Sequence, residues 1–213
     1  MNSRVLTAMM VAAVLGAGLG APAAAQTLYG ERAPRDAAYV RFFRAVDGQP
    51  GRALTLGAAR FEALGHGAVT PYRPVSPDIY QIRSDGYSGE IIPRAQRYYT
   101  VTVTHGGIQV FEDQAHTDPA RAQLVLYNLS SLEQVSLSTE DRRTQVIPPV
   151  SPGAAEGITV NAVPVRLGVF SAGRVLRLLG DPKLSRGSSY SALVFDEEGQ
   201  TAVHWAEAVL ALE

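Results

Sequence analysis

The residue types best suited to chemistry lie in the most polar stretch of the chain, residues 112–121. Asp113 and His116 form a D-x-x-H pair, with which SGNH-type enzymes orient and supply the general base for a nucleophilic serine. That chemistry also needs a Gly-Asp-Ser block upstream and donors for an oxyanion. The one Gly-Asp pair, at Gly180, lies downstream and precedes Pro182. The sequence therefore predicts a charged, solvated linker here and no catalytic residue.

The spacing of the acidic residues and histidines does not indicate a metal site. Glu112, Asp113, His116 and Asp118 lack the alternate-residue spacing and fixed glycine of oxygen-rich calcium loops. The other histidines, His66, His105 and His204, lie far apart in the sequence, and no pair has zinc-ligand spacing. Gly65-His66-Gly67 lacks the glycine spacing and the following helix of a phosphate loop. We therefore predict no metal and no cofactor.

Aromatic side chains offer a different chemistry, since an exposed ring on a β-sheet can stack on a sugar. Tyr72, Tyr80, Tyr87 and Trp205 are candidates for glycan or partner contacts by their positions. Burial is the alternative, and it is favoured for Trp205 because an indole removes a large apolar area from water. Seven other aromatic residues are predicted to fill hydrophobic cores, namely Tyr39, Phe42, Phe43, Tyr98, Tyr127, Tyr190 and Phe195.

Composition bounds the compartment and the partners. The chain has 213 residues, a net charge of -1 and no cysteine. Without a basic stripe, nucleic acid is not an expected partner. Residues 1–25 combine a short basic start, an apolar run and Pro22-Ala23-Ala24-Ala25, the pattern of a cleavable signal peptide. The apolar run is shorter than the about 20 residues that span a membrane. We therefore expect export to the periplasm.

The mature region reads almost entirely as β-structure. Short alternating segments are separated by Gly- and Pro-rich turns, a pattern typical of small sandwiches or barrels. The clearest strand is predicted at residues 98–104, because this segment consists of β-branched and aromatic residues and is followed by a turn at Gly106-Gly107. Residues 108–111 are predicted to form the other strand of the hairpin. Only residues 52–64 are expected to form a helix over part of their length.

The β pattern also occurs twice. The strand at residues 37–43 returns at residues 122–129, so that Val40 corresponds to Val125, and Tyr98 or Tyr99 to Tyr190. The predicted fold class is all-β, with two tandem small β-sandwich or barrel-like domains after a cleaved signal peptide. The predicted segments are a signal peptide at 1–25, an extended N-terminal arm at 26–36, a first β domain at 37–116 and a second β domain at 117–213.

Short blocks of the chain resemble a known family. Leu28-Tyr29-Gly30, Pro34 and Tyr39-Val40-Arg41 form the first block; the others are residues 124–129 and residues 187–195. Together they resemble the AlgF family of alginate biosynthesis proteins. The resemblance implies a periplasmic accessory protein of exopolysaccharide O-acetylation, with no catalytic activity of its own. It also implies two partners, a membrane-bound O-acyltransferase and SGNH-type acetyltransferases, and a polymer that is alginate or acetylated cellulose.

Two functions follow from this resemblance and from the aromatic residues. The first is an adaptor that binds the acetyl-transfer machinery, and the alternative is a non-catalytic carbohydrate-binding module that presents polymer to the transferase. The arm at 26–36, with Leu28 and Tyr29, is a candidate docking segment, because an extended Pro-containing segment loses little entropy on binding. Packing of the arm across its own domain is the other interpretation.

Overall fold

The structure, a computed structural model, describes residues 35–46, 51 and 53–211. Seventeen strands and no helix occur within these ranges, which confirms the all-β prediction. No helix suited to crossing a membrane was found among the same residues. The predicted signal peptide and the arm up to Pro34, with Leu28 and Tyr29, lie outside them.

The first half of the described fold is built on two parallel neighbours, β1 (Ala38–Ala45) and β8 (Tyr98–Thr104). Both strands are buried along nearly their whole length, as expected for strands that are covered on both faces. The strand predicted at 98–104 is confirmed, and so is its hairpin partner, β9 (Gly107–Asp113). Two short strands complete the sheet beside β1, namely β4 (Ala68–Val69) and β5 (Arg73–Val75).

Two hairpins cover the first half. They are β2 (Leu54–Leu56) with β3 (Ala59–Phe61), and β6 (Tyr80–Ser84) with β7 (Tyr87–Ile91). The expectation that residues 52–64 form a helix over part of their length was wrong, because Gly57, at a φ of 59°, reverses the chain between two strands. Asp85 and Gly86 have φ angles of 54° and 82°, which suits a hairpin whose turn residues are left-handed.

The second half contains two four-stranded sheets. One has parallel neighbours at its centre, in the order β13 (Ala154–Asn161), β10 (Arg121–Leu129), β16 (Ser189–Glu197), β17 (Gln200–Glu207). The other is antiparallel throughout, in the order β12 (Gln145–Val150), β11 (Val135–Thr139), β14 (Leu167–Ser171), β15 (Arg174–Gly180).

Each half encloses its own hydrophobic core, and a third cluster joins them. Phe42 and Phe61 lie in the first core, and Leu126 lies in the second. The third cluster, which we call the seam, contains Phe43, Ala45, Val125, Tyr127, Leu193 and Phe195. Residues Glu31–Glu213 accordingly form one compact unit. The domain boundary predicted at residues 116–117 falls in the connection between β9 and β10, which is residues 114–120.

The parallel strand pairs give the register of the duplication. Val40 lies beside Tyr99 in the first half, and Leu124 lies beside Tyr190 in the second. Val40 therefore corresponds to Leu124 and not to Val125. A shift of one residue exchanges the two faces of a strand, so the corrected register places both residues in the cores of their halves.

Hydrogen bonds support the corrected register. The Tyr99 hydroxyl accepts the backbone N–H of Arg94 at 3.1 Å, and the Tyr190 hydroxyl accepts that of Ser185 at 3.0 Å, five residues upstream in both cases. The turns before these strands match as well, since Gln96 and Gly187 both have a positive φ. The two halves are therefore copies at the level of individual contacts.

A buried ion pair attaches the β6–β7 hairpin to β1. The Arg44 Nη2 to Asp85 Oδ1 distance is 2.7 Å, and both side chains are largely buried. Hydrogen bonds from Arg44 hold the pKa of Asp85 below its usual range. The stabilisation is therefore complete above the pKa of an unfolded aspartate, and it is lost as the pH falls through the lowered value.

We predict that Asp85→Asn lowers the free energy of unfolding by about 1.5–3 kcal/mol at neutral pH, because it removes the charge-assisted hydrogen bonds that the carboxylate accepts from the buried Arg44 guanidinium. Urea denaturation measures this loss. The difference from the wild type should shrink as the pH is lowered, since the wild type then loses the same contribution. The exposed Asp78, changed to Asn, is the matched control and should alter stability by less than about 0.5 kcal/mol. A constant difference at all pH values would contradict this account.

Candidate functional site

A positively charged side chain is buried between the two halves. Arg41 points from β1 towards the second half and is only 2% exposed. Its Nε donates to Thr100 Oγ1 at 2.8 Å, and its Nη2 donates to Ser191 Oγ at 2.8 Å and to the Tyr127 hydroxyl at 3.1 Å. Because an isolated buried charge costs many kcal/mol, these three bonds are what allow the position to be charged.

The counter-charge is Asp113, at the end of β9. Its Oδ2 accepts hydrogen bonds from the hydroxyls of Thr100 at 2.6 Å and Tyr72 at 2.8 Å, and its Oδ1 accepts the Tyr127 hydroxyl. Thr100 and Tyr127 thus accept from the arginine and donate to the carboxylate. We call Arg41, Tyr72, Thr100, Asp113, Tyr127 and Ser191 the Arg41 network.

The protonation states of the network are fixed by its surroundings. Burial lowers the pKa of Arg41, but the neighbouring oxygens of Tyr127, Tyr72 and Asp113 outweigh it and hold this pKa above its usual value. Burial raises the pKa of Tyr127 and that of Tyr72, and Asp113 adds to both shifts. Arg41 is therefore charged, and both tyrosines are neutral, throughout the physiological range.

The duplication explains how the arginine finds acceptors on both sides. In the corrected register Thr100 on β8 corresponds to Ser191 on β16, so equivalent hydroxyls of the two copies bind one guanidinium. At the position of Arg41 the second copy has Val125, which joins the apolar part of the seam. Only one of two equivalent positions therefore carries the charge.

A cleft of about 230 Å³ opens beside the network. Arg41, Tyr98 and Asp113 from the first half form part of its wall, and Gln123 and Ser188 from the second half form another part. The chain end also reaches the cleft, since the Tyr72 N–H donates to the Val209 carbonyl at 2.7 Å. The cleft is therefore formed by residues of both halves together.

Comparison of the chain with known proteins identifies its family. The model of the family described as "Alginate O-acetyl transferase AlgF" matches residues 12–200. The chain belongs to the AlgF family. The resemblance inferred from its short blocks is thereby confirmed.

Several curated AlgF proteins are similar over most of their length. The alginate biosynthesis protein AlgF of Pseudomonas putida is 25% identical over 185 residues, covering 86% of this chain and 83% of that protein. AlgF of Pseudomonas aeruginosa is 25% identical over 181 residues, with 84% and 82% covered. The solved C-terminal domain of the P. aeruginosa protein superposes with a TM-score of 0.39 at 27% identity, covering 41% of this chain and 98% of that domain.

The D-x-x-H pair of this AlgF family member does not form a catalytic dyad. Asp113 binds hydroxyl groups, whereas His116 Nε2 lies 3.0 Å from the Arg121 carbonyl oxygen. Asp113 was predicted to lie in a solvated linker; instead it ends β9 and belongs to a buried network, because the strand continues beyond residue 111. Among the described residues no group of three or more His, Asp or Glu side chains could hold a metal ion.

The candidate aromatic contacts lie in separate places. Tyr72 is buried in the Arg41 network, with its ring 4.6 Å from the Arg41 guanidinium carbon. Tyr80 and Tyr87 belong to the β6–β7 hairpin, and their hydroxyls donate to the carbonyls of Ser76 and His105. Trp205 packs against the second core and stacks on Tyr190 at 5.7 Å. Their roles in binding, like those of Leu28 and Tyr29, stay predictions.

Sequence reasoning missed the members of the network that matter most. Arg41 and Tyr127 lie in two of the blocks that carry the AlgF resemblance, yet Arg41 was assigned no role and Tyr127 was expected only to fill a core. One signal was available, since Arg41 and Arg44 are charged residues within a strand whose other residues are apolar or aromatic. Ser191 carried no signal of its own, and Asp113 was considered only with His116 and as a possible metal ligand.

We predict that Tyr127→Phe lowers the free energy of unfolding by about 1–3 kcal/mol, because it deprives the Asp113 carboxylate of a donor and Arg41 of an acceptor. Urea denaturation at neutral pH measures the change. Tyr39→Phe is the matched control, since the Tyr39 ring stacks on Tyr98 but its hydroxyl has no hydrogen bond within the described residues. Equal stabilities of the two variants would show that the network contributes nothing.

Proposed function

We propose that this AlgF family member is a non-catalytic adaptor in the O-acetylation of an exopolysaccharide. The observation that carries the proposal is the family match over residues 12–200, together with relatives named alginate biosynthesis proteins. Alginate is the first candidate polymer, and acetylated cellulose is the alternative. The adaptor acts by binding SGNH-type acetyltransferases and a membrane-bound O-acyltransferase.

The periplasm is the proposed site of action. Residues 1–25 have the pattern of a cleavable signal peptide, and the chain contains no cysteine. A fold without thiols keeps the same covalent structure in an oxidising compartment. Its stability there rests on the two cores, the seam and the buried charge network.

The geometry around Asp113 supports an adaptor more than a transferase. An activated nucleophile needs a base that is itself oriented by a third group. Here the carboxylate of Asp113 is occupied by the hydroxyls of Tyr72, Thr100 and Tyr127, and it makes no hydrogen bond to His116 among the described residues. The acetyl group is therefore transferred by the partners in this proposal.

An apolar patch on the second half is the proposed docking surface for the transferase. Val175 is 48% exposed and Leu178 is 50% exposed, both on β15. Val175 lies opposite Phe170 on β14, and a Cβ added at Gly168 would lie 3.2 Å from Leu178 Cδ2 and 2.9 Å from the Phe170 ring. Val175 and Leu178 thus lie beside the buried Phe170 and form one exposed apolar surface, which we call the β15 patch.

The position of the patch favours association with a protein. Leu176 and Leu179, next in sequence, pack against the second core, so the patch lies on a strand held from behind. Exposed apolar residues that are contiguous and rigidly supported are typical of protein-binding surfaces. Arg142, whose guanidinium carbon lies 5.6 Å from the Phe170 ring centroid, supplies a polar border of the kind that rims such surfaces.

We predict that the double variant Val175→Glu, Leu178→Glu weakens capture of the purified SGNH-type acetyltransferase at least about tenfold, which corresponds to about 1.4 kcal/mol. Two carboxylates on the patch would have to be desolvated in the complex. Surface plasmon resonance with the immobilised mature chain measures the affinity. Val163→Glu is the matched control, because Val163 is 54% exposed but lies outside the patch. If the wild-type chain does not bind the transferase, the adaptor proposal fails.

We also predict that the mature chain does not hydrolyse or transfer acetyl groups from an aryl acetate, and that His116→Ala leaves O-acetylation of the polymer unchanged in cells. His116 is bound to the Arg121 carbonyl and has no nucleophile to serve in this proposal. The acetyl content of secreted polymer, measured by NMR, checks the second expectation. Loss of acetylation in a stably folded His116→Ala chain would favour a catalytic role instead.

A further inference from the structure

The β2–β3 hairpin of the first half has no hydrogen-bonded neighbouring strand among the described residues. In the second half, β11 pairs with β14 and joins two hairpins into one four-stranded sheet. In the first half, β2–β3 and β6–β7 are separate two-stranded sheets within the same described ranges. Because an isolated two-stranded hairpin is only marginally stable in water, the position of β2–β3 depends on what packs against it.

A groove of about 250 Å³ lies between this hairpin and β5. Ala58 and Ala59 from the hairpin and Pro74 and Val75 from β5 line it, so much of its wall is apolar. Val75 also belongs to the first core, which the groove therefore reaches. Covering such a groove with a segment of chain removes apolar area from water and stabilises the fold.

The backbone beside the groove does not suit the addition of a strand. Pro74 lies opposite Tyr39, whose N–H donates to the Arg97 carbonyl on the other side of β1. Opposite residues of an antiparallel pair turn their backbone groups either towards each other or both away, so Pro74 faces away from β1. Proline has no N–H to offer there. An occupant of the groove must therefore be recognised mainly by its side chains.

The N-terminal arm leaves the described fold at this groove. Asp36 lines the groove, and the Arg35 carbonyl accepts a hydrogen bond from the Gln96 side chain at 3.2 Å. Tyr29 lies seven positions before Asp36. At full extension this separation spans no more than about 25 Å. Leu28 and Tyr29, the two largest apolar side chains of residues 26–34, are therefore within reach of the groove.

Charge complementarity favours the same segment. The described residues that line the groove include one basic side chain, Arg73, and the only acidic residue of residues 26–34 is Glu31. Glu31 follows Tyr29 by two positions, and such residues share one side of an extended segment. A segment that places the Tyr29 ring in the groove therefore also directs Glu31 towards it. Opposite charges at such a contact add little free energy but help to fix its register.

We propose that this groove binds the chain's own N-terminal arm, with the Leu28 and Tyr29 side chains against β5 and the β2–β3 hairpin and with Glu31 beside Arg73. The arm supplies the hairpin with the neighbour that sheet pairing supplies in the second half. An arm bound in this way is a structural element of the first half and is not the segment that docks a partner. The inference is independent of the adaptor proposal, whose docking surface lies on β15.

The test is limited proteolysis of the mature chain with trypsin. Arg32 supplies a cleavage site within the arm, so a bound arm should release the peptide 26–32 slowly, as measured by mass spectrometry. Ala58→Phe fills the groove from an exposed turn, and Ala63→Phe, at an exposed position outside the groove, is the matched control. We expect Ala58→Phe and Tyr29→Ala each to accelerate the release at least about tenfold, because cleavage follows the population of the open form. Ala63→Phe should leave the rate unchanged.

Three results would overturn the inference. Release from the wild-type chain as fast as from a synthetic peptide of residues 26–36 would show that the arm is unbound. Slow release that Ala58→Phe does not accelerate would show that the arm binds elsewhere. Acceleration by Ala58→Phe without any effect of Tyr29→Ala would indicate damage to the hairpin, since Tyr29→Ala alters no residue of the described fold. The assay contains no transferase, so each of these results leaves the adaptor proposal standing.

Discussion

A single buried guanidinium holds the arrangement of the two halves in place. Arg41 comes from the first half, and two of its three acceptors, Tyr127 and Ser191, come from the second. If the halves separated, the charge would lose those acceptors, and the apolar part of the seam would be exposed to water with it. Hydrophobic contact alone would tolerate sliding, whereas hydrogen bonds of fixed direction specify one relative position.

The two copies supply equivalent hydroxyl groups to the Arg41 network, but only one copy supplies an arginine. Two copies that pack through equivalent faces bring equivalent hydroxyls, Thr100 and Ser191, to the same place. An arginine at that position in both copies would bury two like charges in the seam. With Val125 in the second copy, one cation is shared by both hydroxyls and balanced by Asp113. Asymmetry between the copies is therefore a physical requirement of the buried charge.

The sequence was informative where local rules decide the structure. Alternation, β-branched residues and Gly turns correctly predicted strand β8 with its hairpin partner. The repeat left Tyr98 or Tyr99 as the counterpart of Tyr190, and the structure selects Tyr99. The register of Val40 was wrong by one residue, because β1 and β10 are buried on both faces and show no alternation to fix it. The role of Asp113 was missed because its partners, Tyr72, Thr100 and Tyr127, come from distant parts of the sequence.

The connections between the halves add to the constraint that Arg41 imposes. The Gln123 side-chain amide donates to the Gln114 carbonyl at 2.9 Å, so the segment joining the halves is held against β10. The chain end returns to the first half, where the Ala211 N–H donates to the Tyr72 carbonyl at 2.8 Å. A protein hinged between its two halves would have to order them each time it bound a ligand or a partner, at a cost in entropy. In this fold that order is already present before binding, because the bonds of Arg41 to Thr100, Tyr127 and Ser191 fix the first half against β10 and β16.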